Sequence, residues 1–567
     1  MKSIYEQRPW LKVYPPDVPA DTDIPVKSLI QAFEEVAARR KNKDAIIFYG
    51  RKITYGELKD KIDRFATALA DLGLKKGDRV GLLMLNSPEH IMAYYGVIKA
   101  GGIVVSISPV YVSSEIKYQI EDSGAEMVIC NDFLYANLEK TGLKLKNVIL
   151  TSVSESLPKI KRLMGKSILK QVYQKMALPP AEIYQHEGVH QLQKLIKEYP
   201  PDPPRIDFDP AEDVVSLQYT GGTTGPPKGV MISHLNLIAF SRQMQAFFPF
   251  LKEGDAWMAY LPFYHAGGQV MAMAHGLIQG YCLIVITSPD LDTILNALSR
   301  YDVGCFLGAP SIFETLKDYE KTDIVDWKKL KIVISGMDAL HVSTQEAWQE
   351  RTGVYLHNGY GMTELSAGTH MTPLNQGKPG SIGVPITNVV AGIMDPDEDA
   401  FLPVGELGEI VVKRSPQVTK GYWNKPEATK ECEAVVDGMV WWRTGDLGTM
   451  DEDGYFFVYD RKRDLIKYKG LRVYAREVEE VLVGHPNIKE VGVIGVPDIK
   501  VGENVKAFVV LESDSRGKLS EQDITQYCQD KLAPYKIPRI IEFVGEIPKT
   551  DVGKVSRREL REEALER

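Results

Sequence analysis

Apolar positions along this chain switch between two spacings. From Tyr55 to Leu72 they recur at helical intervals, and after the turn Lys76-Gly77-Asp78 they close into the short run Arg79 to Leu85. Glu89 to Lys99 returns to helical spacing, and Ile103 to Ile107 is again a continuous apolar run. An amphipathic helix needs apolar residues every three or four positions, whereas a strand buried on both faces needs an unbroken stretch. The alternation predicts a mostly parallel sheet covered by helices. The same rhythm resumes after Asp292, with a helix, a strand at Gly304 to Leu307, a helix from Ser311, a strand at Lys331 to Ser335 and a helix after His341.

Two stretches break this rhythm. Between about Ser152 and Pro210, a basic amphipathic segment at Lys159 to Met176 precedes prolines at 179–180 and 200–204, which predicts a surface insertion or connector. From Gly405 onward strand-forming residues dominate, at Glu409 to Val412 and Tyr455 to Tyr459. Beyond the charged cluster Asp460-Arg461-Lys462-Arg463-Asp464 the pattern becomes smaller. A helix is expected at Glu477 to Leu482, strands at Val491 to Gly495 and Lys506 to Leu511, and a helix at Glu521 to Leu532. The expected organisation is a large α/β N-terminal domain over 1–459 with mostly parallel sheets and a strand-rich subdomain, a hinge at 460–464, and a small α+β C-terminal lid over 465–567.

Composition narrows the function classes. The 567 residues exceed what one ordinary core holds. A net charge of −8 argues against nucleic acid as the main partner, because a phosphate backbone calls for a basic surface. Cys130, Cys282, Cys305, Cys432 and Cys528 are odd in number and far apart, which predicts reduced thiols rather than disulfides or a zinc site. The N-terminus carries no apolar leader, and Gly96 to Val112 is interrupted by Lys99, two glycines and Pro109, a poor membrane span. A cytoplasmic location is expected.

The densest chemical signal is Tyr219-Thr220-Gly221-Gly222-Thr223-Thr224-Gly225-Pro226-Pro227-Lys228-Gly229-Val230, directly after the strand-like Val214 to Gln218. Glycines let the backbone curl so that several N–H groups face one anion, and the threonine hydroxyls and Lys228 add donors. A plain glycine-rich hairpin turn rarely holds three threonines and a lysine together. The P-loop of nucleotide hydrolases places Ser or Thr after Gly-Lys, and here Lys228 stands between Pro227 and Gly229, so that class fails.

This segment resembles the phosphate loop of the adenylate-forming superfamily, which includes acyl-CoA synthetases, peptide-synthetase adenylation domains and firefly-type luciferases. Further motifs follow in the family's order. Tyr360-Gly361-Met362-Thr363-Glu364, preceded by Asn358-Gly359, resembles the adenine and magnesium motif. Thr444-Gly445-Asp446 resembles the ribose motif, and Asp460 to Asp464 with Lys467 and Gly470 resembles the hinge. Pro548-Lys549-Thr550-Asp551-Val552-Gly553-Lys554 resembles the C-terminal catalytic lysine loop.

The resemblance implies an ATP- and Mg²⁺-dependent ligase that activates a carboxylic acid, a long- or medium-chain fatty acid, as acyl-AMP and passes it to coenzyme A. An aryl or branched-chain acid is the alternative substrate. A non-catalytic acyl or nucleotide sensor is the alternative outside enzymes, and such a relic is expected to lose Lys554 or Glu364. Both are present. Glu364 suits Mg²⁺, which takes one or two carboxylates plus phosphate oxygens, and the resemblance adds Thr223 to the metal site.

For the nucleotide, Tyr360 offers a flat face for adenine and Asn358 a partner for the base edge. Asp446 accepts from ribose hydroxyls, and Arg461 donates to ribose or phosphate. The resemblance makes Lys554 the residue the lid swings in during adenylation, with the rotation hinging at Arg463 and its neighbours Asp460 and Lys467. His265, in Leu261-Pro262-Phe263-Tyr264-His265-Ala266-Gly267-Gly268, aligns near the acyl carboxylate and thiol entry, although a packed core histidine looks the same in sequence.

Departures from the pattern fall on side chains that are not reacting groups. Gly221 replaces a common serine, Ala475 a common proline, and Val552 a common Ser or Asn. Gly336-Met337-Asp338 stands where relatives often have smaller residues, which predicts an altered acyl pocket. Lys159 to Met176, with Ile160, Met164, Ile168, Val172 and Met176 in one stripe, is expected to form a helix that contacts anionic membrane. A homodimer is a further expectation.

Overall fold

The computed structural model describes residues 3–158, 181–220, 226–287, 290–374, 376–512, 519–549 and 555–566. The insertion helix expected at 159–176, the loop glycines and threonines at 221–225, and Lys554 lie outside the described residues.

Two large sheets form the N-terminal region, and the strands expected from the apolar runs build both. One sheet has seven strands, in the spatial order 189–191, 147–151, 127–131, 79–83, 103–107, 214–220 and 228–233. All pairings in it are parallel except the last, where Val214–Thr220 and Lys228–Ser233 form an antiparallel hairpin. The other has nine strands, and its middle six, 357–362, 332–335, 303–308, 256–259, 282–285 and 44–48, run parallel.

Helices between the sheets form where capping and apolar spacing agree. Thr54 and Glu57 make a reciprocal capping box at the start of helix Tyr55–Asp71, which buries Leu58, Ile62, Phe65 and Leu69. Ser87 caps helix Pro88–Lys99, and every residue of that helix is buried. Lys99, which interrupts the apolar run in sequence, is neutralised by Asp63 and Glu34. Among the described residues no helix is long and apolar enough to cross a membrane.

The stretch expected as a surface insertion over 152–210 needs correction in its described part. Val189–Gln191 is the edge strand of the seven-stranded sheet. Helix Leu192–Glu198 buries Leu192, Leu195 and Ile196, and Tyr199, just beyond it, bonds Asp71 and Arg64 of helix Tyr55–Asp71. The neighbouring prolines masked this short apolar stripe.

Beneath this region Glu89 is fully buried and accepts hydrogen bonds from Ser156 and Gln193. Burial, only partly offset by Ser156, lifts its carboxyl to about 7. Because the folded state holds the proton more tightly than the unfolded chain, the Glu89 contribution is fully present below about pH 4 and is lost as pH rises through about 7. Glu89→Gln is therefore expected to stabilise the protein by on the order of 3 kcal/mol at pH 8.5, with the gap shrinking toward pH 5. Urea midpoints at several pH values test this, and a pH-independent gap would contradict it.

Strand Phe456–Arg461 pairs with Met439–Met450 in an antiparallel five-stranded sheet. After the turn Lys462–Asp464, strand Ile466–Tyr468 belongs to a different sheet, with 471–473, 502–511, 488–498 and 540–543. The cores separate at the same place, since Ile466, Val473, Val478, Leu482, Val493 and Ile524 pack together in their own cluster.

Candidate active site

Parallel strands 256–259, 303–308, 332–335 and 357–362 end at one edge of the nine-stranded sheet. The segments that follow them carry Tyr260–His265, Gly336–Asp338 and Thr363–Glu364. The carboxyl edge of such a sheet is where open α/β folds place ligands, because the connecting loops converge there.

Strands Val214–Thr220 and Lys228–Ser233 flank the phosphate-loop sequence, with Thr220 directly opposite Lys228. The Thr220 hydroxyl donates to the Lys228 carbonyl at 3.5 Å. Lys228 Nζ stands 4.9 Å from the ring centroid of Tyr422. The Tyr422 hydroxyl in turn donates to Glu364 Oε1 at 2.7 Å. Glu364 is buried, and desolvation pushes its carboxyl above the ordinary range. Among the described residues no Lys or Arg lies within ion-pair distance of it.

The backbone after Glu364 is strained. Ser366 and Ala367 take φ values of 50° and 86°, left-handed conformations that cost a non-glycine residue of order 1 kcal/mol or more each. Gln417 holds the turn by donating to the carbonyls of Leu365 and Gly368, at 2.8 and 2.6 Å, and its own carbonyl accepts from Ser366 Oγ.

A second cluster adjoins the first. The Tyr360 hydroxyl donates to Asp446 Oδ2 at 2.7 Å, and Arg461 Nε lies 3.3 Å from Asp446 Oδ1. Asp446 and Arg461 are cross-strand partners, so sheet register places them together. Asp338, grouped with the acyl pocket in sequence, is exposed here, and after Asp446 and Asp464 it is among the carboxylates acting on Arg461. Asn358 Nδ2 donates one hydrogen bond to the Ser381 carbonyl, which fixes the orientation of its amide. Gly359, Gly361, Met362 and Thr363 shape the strand and turn between these groups.

Met337 has φ 74°, the left-handed region that favours glycine. Its sulfur lies 2.9 Å from where a Cβ on Gly267 would stand, so it packs against the segment carrying His265. Gly336 N–H donates to the Gly308 carbonyl across the adjacent strand. His265 is half-buried, and its Nδ1 accepts from Gly267 N–H at 3.2 Å, which leaves the proton of the neutral ring on Nε2.

At the expected hinge, Asp460 and Asp464 are buried while Arg463 and Lys467 are exposed. Lys467 N–H donates to Glu503. Arg557, on the helix Arg557–Glu566, lies 3.6 Å from Asp460, 3.4 Å from Asp464 and 2.6 Å from Glu479. Burial alone would raise Asp464, but Arg557 and Arg561 hold it below the usual carboxylate range.

Sequence reasoning missed four of these groups: Tyr422, Gln417, Arg557 and Asn86. The Asn86 amide clamps the backbone ahead of His265, donating to Leu261 O and accepting from Phe263 N–H, both at 2.8 Å. For Arg557 a signal existed, since Arg557 and Arg561 share one helical face. The other three carry none.

Residues 33–423 match the AMP-binding enzyme family, and residues 477–554 match the AMP-binding enzyme C-terminal domain. The chain belongs to the AMP-binding enzyme family. Similarity to its members runs nearly the full length. A long-chain-fatty-acid–CoA ligase of Bacillus subtilis strain 168 is 38% identical over 99% of both chains. An anthranilate–CoA ligase solved with anthranoyl-AMP is 27% identical, covering 96% of this chain and 98% of its own, with a TM-score of 0.82. ATP-bound MatB from Rhodopseudomonas palustris is 28% identical over 95% of this chain and 99% of its own, with a TM-score of 0.78. The two matched regions of this AMP-binding enzyme leave 424–476 between them, and that interval contains the charged cluster 460–464 where the sheets change.

Proposed function

We propose that this AMP-binding enzyme is an AMP-forming fatty acid–CoA ligase with a long-chain substrate. The observation that carries the reading is its full-length similarity to a long-chain-fatty-acid–CoA ligase. Lys228 and Glu364, both in contact with Tyr422, and Tyr360, Asp446 and Arg461, joined by a hydrogen bond and an ion pair, supply groups that fit the chemistry. The fatty carboxylate attacks the α-phosphorus of ATP, a new C–O–P linkage forms, and pyrophosphate leaves. The thiol of coenzyme A then attacks the acyl carbon, and AMP leaves.

Each residue has a role within this reading. Lys228, Thr220 and the sequence between them, Gly221, Gly222, Thr223, Thr224 and Gly225, bind the phosphates. Tyr360 and Gly361 border the base, Asp446 accepts from the ribose hydroxyls, and Arg461 donates beside it. His265 orients the acyl carboxylate. Glu364 fits a divalent cation, being a buried carboxylate with no cationic partner among the described residues. With Thr223 it would hold Mg²⁺, which when bound offsets phosphate charge. Arg463 and its neighbours form the hinge about which the lid turns to admit the thiol.

Met337 limits the acyl pocket from beside Gly267. Met337→Gly removes its side chain and also suits the positive φ, so preference is expected to move toward longer or bulkier acids without loss of stability. Each extra buried methylene contributes roughly 0.8 kcal/mol where room exists. An unchanged chain-length profile would place Met337 outside the pocket.

The reading as a whole is tested by pyrophosphate release across fatty, aryl and branched acids, with and without coenzyme A. Long-chain acids are expected to turn over best, and turnover confined to aryl acids would overturn the assignment. The proposal extends to peripheral contact of 159–176 with anionic membrane and to a homodimer. Liposome co-sedimentation and light scattering are the checks, and no vesicle binding or a monomeric mass would remove each in turn.

A further inference from the structure

Tyr422 stands between two groups of opposite charge that do not pair with each other. Its hydroxyl donates to Glu364 Oε1 at 2.7 Å, and its ring lies under Lys228 Nζ at 4.9 Å. Among the described residues neither Glu364 nor Lys228 has an ion-pair partner. A lysine and a glutamate that share one aromatic neighbour attract each other, and direct pairing would neutralise both. The aromatic ring acts as the spacer that keeps each charge available, holding the lysine by its π face and the carboxylate by its hydroxyl.

The spacer is itself fixed. Tyr422 is 7% exposed, bridges to Val230 in the hairpin strand, and donates its N–H to Thr429 Oγ1 at 2.9 Å. Its neighbours extend the same strut. Trp423 N–H donates to Gly229 O, Met231 N–H to Gly421 O, and Thr419 N–H to Glu364 O. The segment 419–423 thus ties the hairpin to the turn that carries Glu364.

We propose that Tyr422 is a positioning residue that holds Glu364 and Lys228 apart and oriented for the magnesium salt of ATP. This rests on the reading of Glu364 as the magnesium carboxylate. Tyr422→Phe keeps the spacer and deletes only the hydrogen bond, whereas Tyr422→Leu deletes the ring and lets lysine and glutamate collapse together.

Titration calorimetry of the full chain with ATP, in Mg²⁺ and in EDTA, separates these effects for wild type, Tyr422→Phe, Tyr422→Leu and Glu364→Gln. Tyr422→Phe is expected to weaken ATP binding about tenfold in Mg²⁺ and to leave binding in EDTA unchanged. Tyr422→Leu is expected to weaken both. A ligand-free melt checks that each variant is folded, and the Leu variant carries the test through the EDTA arm if the Phe variant does not fold. Should Glu364→Gln lose the magnesium-dependent gain while both Tyr422 variants keep it, the role of Tyr422 is overturned and that of Glu364 stands. Should Glu364→Gln keep the gain, the magnesium reading falls and the Tyr422 inference falls with it.

Discussion

Replacing Lys554 by alanine is expected to slow acyl-adenylate formation by about 10²–10³ while leaving thioester formation from supplied acyl-AMP largely intact. Negative charge grows on the α-phosphate as pyrophosphate departs, and a preorganised cation placed there lowers the barrier only for that step. The described residues around the lysine suit such delivery. Lys549 and Val555 bridge across the loop base, and Ser556 N–H donates to Pro548 O at 2.8 Å. Directly after the loop, Arg557 joins its helix to Asp460 and Asp464 and to Glu479. Arg557 thus couples the residues directly after the loop to the 460–464 cluster proposed as the hinge. Separate assays of pyrophosphate exchange and of CoA-dependent consumption of acyl-AMP distinguish the half-reactions. Equal losses in both would remove Lys554 from its assigned step.

Gly361→Ala is expected to abolish adenylation and to lower stability by several kcal/mol, because no local adjustment makes room for a methyl group. A Cβ at 361 would stand 1.6 Å from the carbonyl oxygen of Ala367, which is backbone of the paired strand. Relief requires opening the pairing between His357–Met362 and Ala367–Met371, and that pairing sets Tyr360 on one side and the Glu364 turn on the other. Ala367 already holds an unfavourable φ of 86°, so the turn has little slack. Overpacking in a well-packed interior typically costs about 1–3 kcal/mol, and a backbone clash exceeds that range.

Gly359→Ala is the control for this argument. Its nearest neighbours are the sulfur and methyl of Met371, at 2.7 and 3.0 Å, and a flexible side-chain end can move. The 359 variant should retain most activity and nearly the native melting temperature. Similar behaviour of the two variants in exchange assays and melts would refute the explanation.

The sequence alone determined most of the architecture, for reasons specific to each element. Helix Tyr55–Asp71 was legible because its apolar residues recur at helical spacing, and Ile103–Ile107 because a strand buried on both faces shows an unbroken apolar run. The sheet change at 460–464 was marked by a charged cluster between two apolar patterns. Motif order identified the superfamily, and the family matches agree with it. The edge strand and helix at 189–198 were not legible, since three and seven residues lie below the length at which periodicity separates from the surrounding prolines.

Tertiary structure decided which charges meet. Tyr422 is 58 residues from Glu364, and their contact follows from the 419–423 segment lying along the hairpin, a packing that no local pattern encodes. Asp446 and Arg461 meet through antiparallel register, and Arg557 finds Asp460 only because the last helix folds back onto the 460–464 turn. Asp338 sits beside Met337 in sequence, yet it is exposed and acts on Arg461 while Met337 packs toward Gly267. Hydrophobic spacing is a local property, set by helix and strand periods, and can be read in one dimension. The pairing of a charge depends on which distant segment brings a partner within a few ångströms, and only the folded chain settles that.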